Sequence, residues 1–208
     1  VTLTAAPGSG AVFERWSGDV ASTSGSVTFV LGSSQTITAT FRTLSTHNTV
    51  NPAVGATLNF TDTKNNRTTV VIPAGAISGT APLEFVFTPI GFVVPPGGLG
   101  FTGHSFSLEA FLNGELQPGY QFLQPVTITI QYSDADLNGG SEASLLIMIW
   151  NGSAWVDAAT TCSPPSTYQR NTVSNSISVA ICHLSQYALF VTPRIVTNYP
   201  LYLPIIRR

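Results

Sequence analysis

Charge is what this chain of 208 residues has least of. Only 9% of its residues are Asp, Glu, Lys or Arg, where an ordinary globular domain carries about a quarter. Eight basic residues face ten acidic ones for a formal net charge of −2, and Lys64 is the sole lysine. Nucleic-acid binding needs a clustered positive surface, so no nucleic-acid partner is expected. The one adjacent basic pair, Arg207–Arg208, ends the chain and reads as a solvated terminus. Long apolar runs are missing too. The longest uncharged one, Ala143–Trp150, falls far short of the roughly 20 residues that span a bilayer, so the chain reads as not membrane-spanning. The chain opens on Val1 with neither Met nor a signal peptide, and reads as a processed portion of something longer.

What is present argues for a packed core. Hydrophobic residues make up 43% and aromatics 10%. Disordered chains are poor in the Val, Ile, Thr, Phe and Tyr that recur here. Abundant Thr, Ser, Gly and Asn suit exposure outside cells, so an extracellular or cell-surface location is expected. Cysteine occurs twice, at Cys162 and Cys182, around a Ser/Pro-rich loop. In an exported chain such an isolated pair most simply forms one disulfide. Two cysteines and one neighbouring histidine make a poor zinc site, since structural zinc takes four ligands.

The pattern predicts an all-β fold, an antiparallel β-sandwich preceded by a small, incomplete β-repeat domain. Short strands are predicted at Val1–Ala6, Ala11–Trp16, Ser26–Leu31 and Gln35–Arg42, with Gly- and Pro-rich turns between them. Thr36, Thr38 and Thr40 alternate with Ile37, Ala39 and Phe41, the period of a half-buried strand. Residues 43–55 are polar, contain Pro52 and Gly55, lack periodicity and read as a linker; His47 within them reads as a solvated loop histidine. From residue 56 to 192 strands are predicted at Ala56–Thr61, Thr68–Pro73, Leu83–Thr88, His104–Leu112, Gln117–Phe122, Val126–Tyr132, Ser144–Trp150, Trp155–Ala159, Thr172–Cys182 and Gln186–Thr192. Asn113-Gly114 between apolar stretches is a strong hairpin signal, because both residues tolerate positive φ. Many short strands at regular spacing point to a sandwich.

Two resemblances follow from these residues. "VTLTAAPGSGAVFERWSGDV…SVTFVLGSSQTITATF", with Trp16-Ser17-Gly18 and the closing Thr-Ile-Thr-Ala-Thr-Phe strand, resembles the second half of a divergent internalin-type B-repeat of bacterial surface proteins. Such repeats begin one or two strands earlier, so residues 1–42 are expected to be a partial domain. "TTVVIPAGAIS", "PLEFVFTP", "QPVTITIQYSDAD", "LLIMIWNGSAWVDA" and "ICHLSQYALF" resemble the β-sandwich domains of ankyrin and netrin-receptor proteins. The last of these also resembles the autoproteolysis-inducing domain of adhesion receptors.

That second likeness implies the one piece of chemistry in the chain. In cleaving members of those families a His-Leu-Ser or His-Leu-Thr tripeptide cuts its own backbone; the matching residues are His183, Leu184 and Ser185. The serine hydroxyl attacks the preceding carbonyl, and water hydrolyses the resulting ester, so the scissile bond would be Leu184–Ser185. A weak alcohol nucleophile needs a base, here His183, and the developing oxyanion needs a donor. The receptor motif carries an Asn before the His, whereas Cys182 stands here. The plainer alternative makes His183 a hydrogen-bonded core residue and Ser185 a turn hydroxyl. Alternation places Val173, Ile177, Val179 and Ile181 on one core face and carries His183 onto it.

Weaker candidates remain. Asp134, Asp136 and Asn138 match the first half of a calcium loop, and Glu142 supplies a ninth-position ligand. Leu145 stands where the bidentate Glu belongs, so an acidic turn before a strand is the plainer reading and no cofactor other than calcium is considered. Three glycosylation sequons start at Asn59, Asn66 and Asn151. Carboxylates are scattered singly, without a glycosidase pair, and His104 reads as structural. Residues 193–208 form an extended apolar tail through Ile195, Val196, Tyr199, Leu201, Tyr202, Leu203, Ile205 and Ile206. Its prolines permit only an edge position, and it either packs on its own sandwich or adds to the sheet of another copy. Three functions are therefore expected in turn: a structural or adhesive bacterial surface module whose partners are proteins, including copies of itself; a self-cleaving domain; and a carbohydrate-binding module using Trp16, Trp150 or Trp155.

Overall fold

The computed structural model describes residues 1–7, 11–32, 34–43, 45–62 and 65–193. The apolar tail from Ile195 to Ile206 lies outside the described residues. The chain starts with two small ribbons. β1 (Thr2–Thr4) pairs with β3 (Ser26–Thr28), and β2 (Ala11–Gly18) pairs with β4 (Ile37–Thr43), all antiparallel. Trp16 is the buried anchor here. It packs against the Phe13 ring at 5.3 Å, and its indole N–H donates to the Ser24 carbonyl at 3.0 Å.

A sandwich of two antiparallel sheets follows. The first sheet contains β5 (Thr46–Val50), β8 (Leu83–Pro89), β9 (Gly100–Leu112), β16 (Gln186–Val191), β12 (Leu146–Trp150) and β13 (Trp155–Asp157) in that spatial order, with β10 (Glu115–Leu116) folded back on β9. The second contains β6 (Ala56–Thr61), β7 (Arg67–Ile72), β11 (Gln121–Gln131), β15 (Ser176–His183) and β14 (Gln169–Asn171). Period-two alternation explains the pairing of faces. Val70, Ile72, Val126, Ile128, Ile130, Ile177, Val179 and Ile181 point inward from one sheet and meet Phe85, Phe87, Phe106, Leu108, Ile147, Tyr187 and Leu189 from the other. Stacked rings run through this core, with Phe60–Phe87, Phe87–Phe106 and Phe106–Tyr187 centroids 4.9, 4.4 and 5.5 Å apart.

Four expectations are corrected. Residues 46–50 of the expected linker are a strand, whose register runs from Thr46 opposite Phe87 to Val50 opposite Leu83. His47 is accordingly an exposed strand residue whose Nδ1 meets Glu84 Oε1 at 3.0 Å. Of the strand expected at 117–122 only Gln121 and Phe122 are extended, and they run on with the strand expected at 126–132 as β11, with a register shift between Gln121 and Val126 where Pro125 cannot donate to the ladder. Val173 is not on the core face. It sits 96% exposed in a turn where Asn171 Oδ1 accepts the N–H groups of Val173 and Ser174.

Turn chemistry fixes a hairpin within one sheet and a link between the two. Asn113 and Gly114 adopt φ of 51° and 83° and close the β9–β10 hairpin as the sequence predicts. Between β5 and β6 the Asn51 carbonyl accepts the Gly55 N–H, and Gly55 has φ of 73°. A Cβ at that position would lie 2.3 Å from the Ile72 carbonyl oxygen, so only glycine fits.

The segment 90–99 covers part of the outer face of the first sheet. Ser105 anchors it, accepting the Ile90 N–H on its carbonyl at 2.9 Å and donating its hydroxyl to the Ile90 and Gly91 carbonyls at 3.0 and 2.9 Å. Val93 and Leu99 then pack on Met148, Ala188 and Phe190, which explains why β16 is buried on both faces. The disulfide expected between Cys162 and Cys182 is present, with Cα atoms 5.1 Å apart. It ties the 158–161 turn to the end of β15.

Two measurements check this packing. The disulfide closes 20 residues of sequence separation, so Cys162→Ser with Cys182→Ser should lower unfolding stability by about 3 kcal/mol in the chain-entropy model. Three tyrosines should make the fold alkali-sensitive. Burial, with the nearby Glu142 carboxylate, pushes Tyr132 up to about 12. Burial, and then the Asp157 carboxylate that accepts its hydroxyl, raise Tyr168, while burial alone raises Tyr187 well above the usual phenol range. The native state therefore keeps protons that the unfolded chain releases above its ordinary value of about 10. Stability from these groups is fully present below about pH 10 and falls above it, by up to about 1.4 kcal/mol per pH unit for each group. Urea midpoints across that range should drop, and Tyr187→Phe should make the decline shallower.

Candidate functional site

The His183-Leu184-Ser185 tripeptide is a corner. β15 lies in one sheet and β16 in the other, and Leu184 and Ser185 are the entire link between them. Crossing the core thickness in so short a span turns Leu184 inward, where it is 4% exposed. Every turn of backbone buried this way needs a hydrogen-bond partner. The Leu184 N–H donates to the Tyr120 carbonyl at 2.9 Å, and the Ser185 carbonyl accepts the Leu108 N–H at 3.0 Å. The Tyr187 hydroxyl donates to the His183 carbonyl, and the Ser185 hydroxyl donates to the Trp150 carbonyl. Four different elements thus hold the corner.

The catalytic groups implied by the sequence are close in space but differently engaged. The His183 imidazole is half-buried, and its Nδ1 lies 3.4 Å from the Leu184 carbonyl oxygen, the atom that would carry negative charge during attack. The Ser185 hydroxyl instead points its proton at Trp150. Base and nucleophile are therefore turned to different oxygens. The corner has no left-handed residue: the described non-glycine residues with positive φ are Asn65, Asn113, Asn138 and Asn175. Alternation predicts His183 on the core face, whereas the neighbouring Leu184 takes the buried position because the chain bends there.

A cleft of about 400 Å³ opens on the solvent side of this corner. Trp150 to Gly152, Leu116 to Gly119, Ser107, Glu109 and Gln186 line it along with the corner itself. Outward side chains of β9 and β16 were predictable from alternation. The contribution of 117–119 was not, since the pattern predicts a strand at 117–122 where the structure has the turn that follows β10.

The calcium candidates occupy a different end of the molecule. Asp136 is 3% exposed, and its Oδ2 accepts the Ser133 N–H and hydroxyl at 2.9 and 2.7 Å and Asn66 Nδ2 at 3.2 Å. His104 Nε2 meets the same oxygen at 3.2 Å, while its Nδ1 is 3.7 Å from Asp62 Oδ2. This cluster joins β9 to Asp62 and Asn66 and to the 133–137 turn. Asp134 accepts Asn175 Nδ2 at 3.0 Å, and Asn138 Nδ2 donates to the Phe101 carbonyl at 3.3 Å. Glu142 lies in the next turn beside Tyr132. Among the described residues no group of three or more His, Cys, Asp or Glu is placed to hold a metal ion. Among them, too, no helix is long and apolar enough to cross a membrane.

Ser185→Ala tests the corner as a structural joint. Losing the hydroxyl leaves the part-buried Trp150 carbonyl without this donor, and stability should fall by about 1 kcal/mol in a urea titration. Ser185→Thr, which keeps a hydroxyl, should recover part of that loss.

No curated protein matches the chain. Residues 1–45, which carry β1 to β4, match the family model of the divergent InlB B-repeat domain.

Proposed function

We propose that the chain is a structural module of a bacterial surface protein, with no catalytic turnover. The observation that carries this reading is the B-repeat match over residues 1–45, joined to a sandwich closed by a disulfide. A bacterial repeat of this kind and an oxidised cysteine pair both belong to chains exposed outside the cytoplasm. Low charge and a dense β core suit a spacer or adhesive element that presents its ends and edges to protein partners. The two ribbons at the N-terminus offer strand edges through which copies would add to one another, the tail serving as the added strand.

Self-cleavage is the second reading, favoured by one contact, His183 Nδ1 against the Leu184 carbonyl oxygen. For it to operate, the Ser185 hydroxyl must leave Trp150 and present its oxygen to the Leu184 carbonyl carbon, with its proton passing to His183. The two readings separate by denaturing, non-reducing intact mass. A structural module gives one uncut chain, lighter by two protons for its Cys162–Cys182 bond. A separate Ser185–Arg208 peptide that vanishes in both His183→Ala and Ser185→Ala would instead establish self-processing.

A further inference from the structure

We infer that the cleft beside the 183–186 corner binds a neutral saccharide. Its volume, about 400 Å³, lies within the roughly 300–1,000 Å³ of small-molecule sites. Trp150, Leu116 and Pro118 give it an aromatic and aliphatic lining, and its polar lining includes Glu109, Gln117 and Gln186. A sugar ring has this same division: an apolar C–H face that stacks on an aromatic ring, and hydroxyls that donate and accept at once. Amide side chains do both in return, and a carboxylate accepts from neighbouring hydroxyls.

Other ligand classes fit less well. None of the cleft's lining residues is Lys or Arg, and its one imidazole, His183, already faces the Leu184 carbonyl, so an anionic ligand beside Glu109 would meet no fixed counter-charge. An extended peptide binds most readily by adding to an open strand edge. Here the β9 edge along the cleft is already used: the Leu108 N–H donates to the Ser185 carbonyl, and the Ala110 carbonyl accepts the Gln117 N–H at 2.8 Å. The remaining tryptophans are committed elsewhere. Trp16 is 7% exposed with its N–H bonded, and Trp155 packs on Phe190 with ring centroids 5.6 Å apart. Trp150 is thus the platform, braced edge-on by Trp155 at 5.6 Å. The site stands whether or not the chain is cut at Leu184–Ser185.

The test is calorimetric titration of the intact chain with chitohexaose, cellohexaose and xylohexaose, with a heparin-derived hexasaccharide as the charged comparison. Amide shift mapping accompanies each titration. At least one neutral oligosaccharide should saturate, moving the amides of 116–119, 150–152 and 186. Trp150→Ala should weaken that binding by about tenfold or more. Gln186→Ala changes an exposed side chain; it should weaken binding while leaving the unfolding midpoint in place, which keeps the test decisive if Trp150→Ala fails to fold. Trp16→Phe, in the N-terminal ribbon, should bind as the parent chain does. The proposal is overturned if no neutral oligosaccharide saturates, if Gln186→Ala and a folded Trp150→Ala bind as the parent does, or if the heparin fragment binds in preference.

Discussion

The sandwich depends on how the chain crosses from one sheet to the other between His183 and Gln186. β15 and β16 are both central to their sheets' ladders, the first pairing with β11 and β14 and the second with β9 and β12. Joining them through Leu184 and Ser185 alone forces a sharp bend through the core edge. A buried backbone that leaves one ladder before entering the next must find partners at once. The carbonyls of Tyr120 and Trp150, the Leu108 N–H and the Tyr187 hydroxyl supply them. Each of these partners comes from a different strand or turn, so the corner locks the two sheets in register as well as closing the chain.

This constraint accounts for residue types that otherwise look catalytic. A leucine fills the buried position, and a serine reaches the Trp150 carbonyl with a short hydroxyl. The same arrangement places an imidazole beside the carbonyl of the following residue. A tight, strand-linking corner and a self-cleaving corner therefore draw on the same three side chains. In this structure the Ser185 hydroxyl donates to the Trp150 carbonyl. The disulfide reinforces the same place, since Cys182 immediately precedes His183 and anchors the end of β15 to the 158–161 turn.

Most of the sandwich was legible because alternation is strong where one face is buried. Ala56–Thr61 and the Asn113-Gly114 hairpin came directly from period and turn chemistry. β5 was not legible: Thr-His-Asn-Thr-Val buries only Val50 on an edge, and edge strands need no second apolar residue. Val173 misled because it continued the phase of β15 across a turn set by Asn171. The double burial of β16 was also hidden, since it comes from the distant 90–99 segment packing over Ala188 and Phe190. At the site, the His-Leu-Ser residues were visible in the sequence, but their partners were not. Tyr120, Trp150 and Leu108 act through backbone groups, which carry no side-chain signature.

Amide hydrogen exchange at the corner tests the account most directly. If the corner locks the two sheets, the Leu184 and Leu108 amides should open only with the whole fold, exchanging as slowly as the Ile128 amide in the centre of β11. Exchange at Leu184 and Leu108 that is much faster than at Ile128, and insensitive to global stability, would show that the corner opens by itself and does not hold the sandwich together.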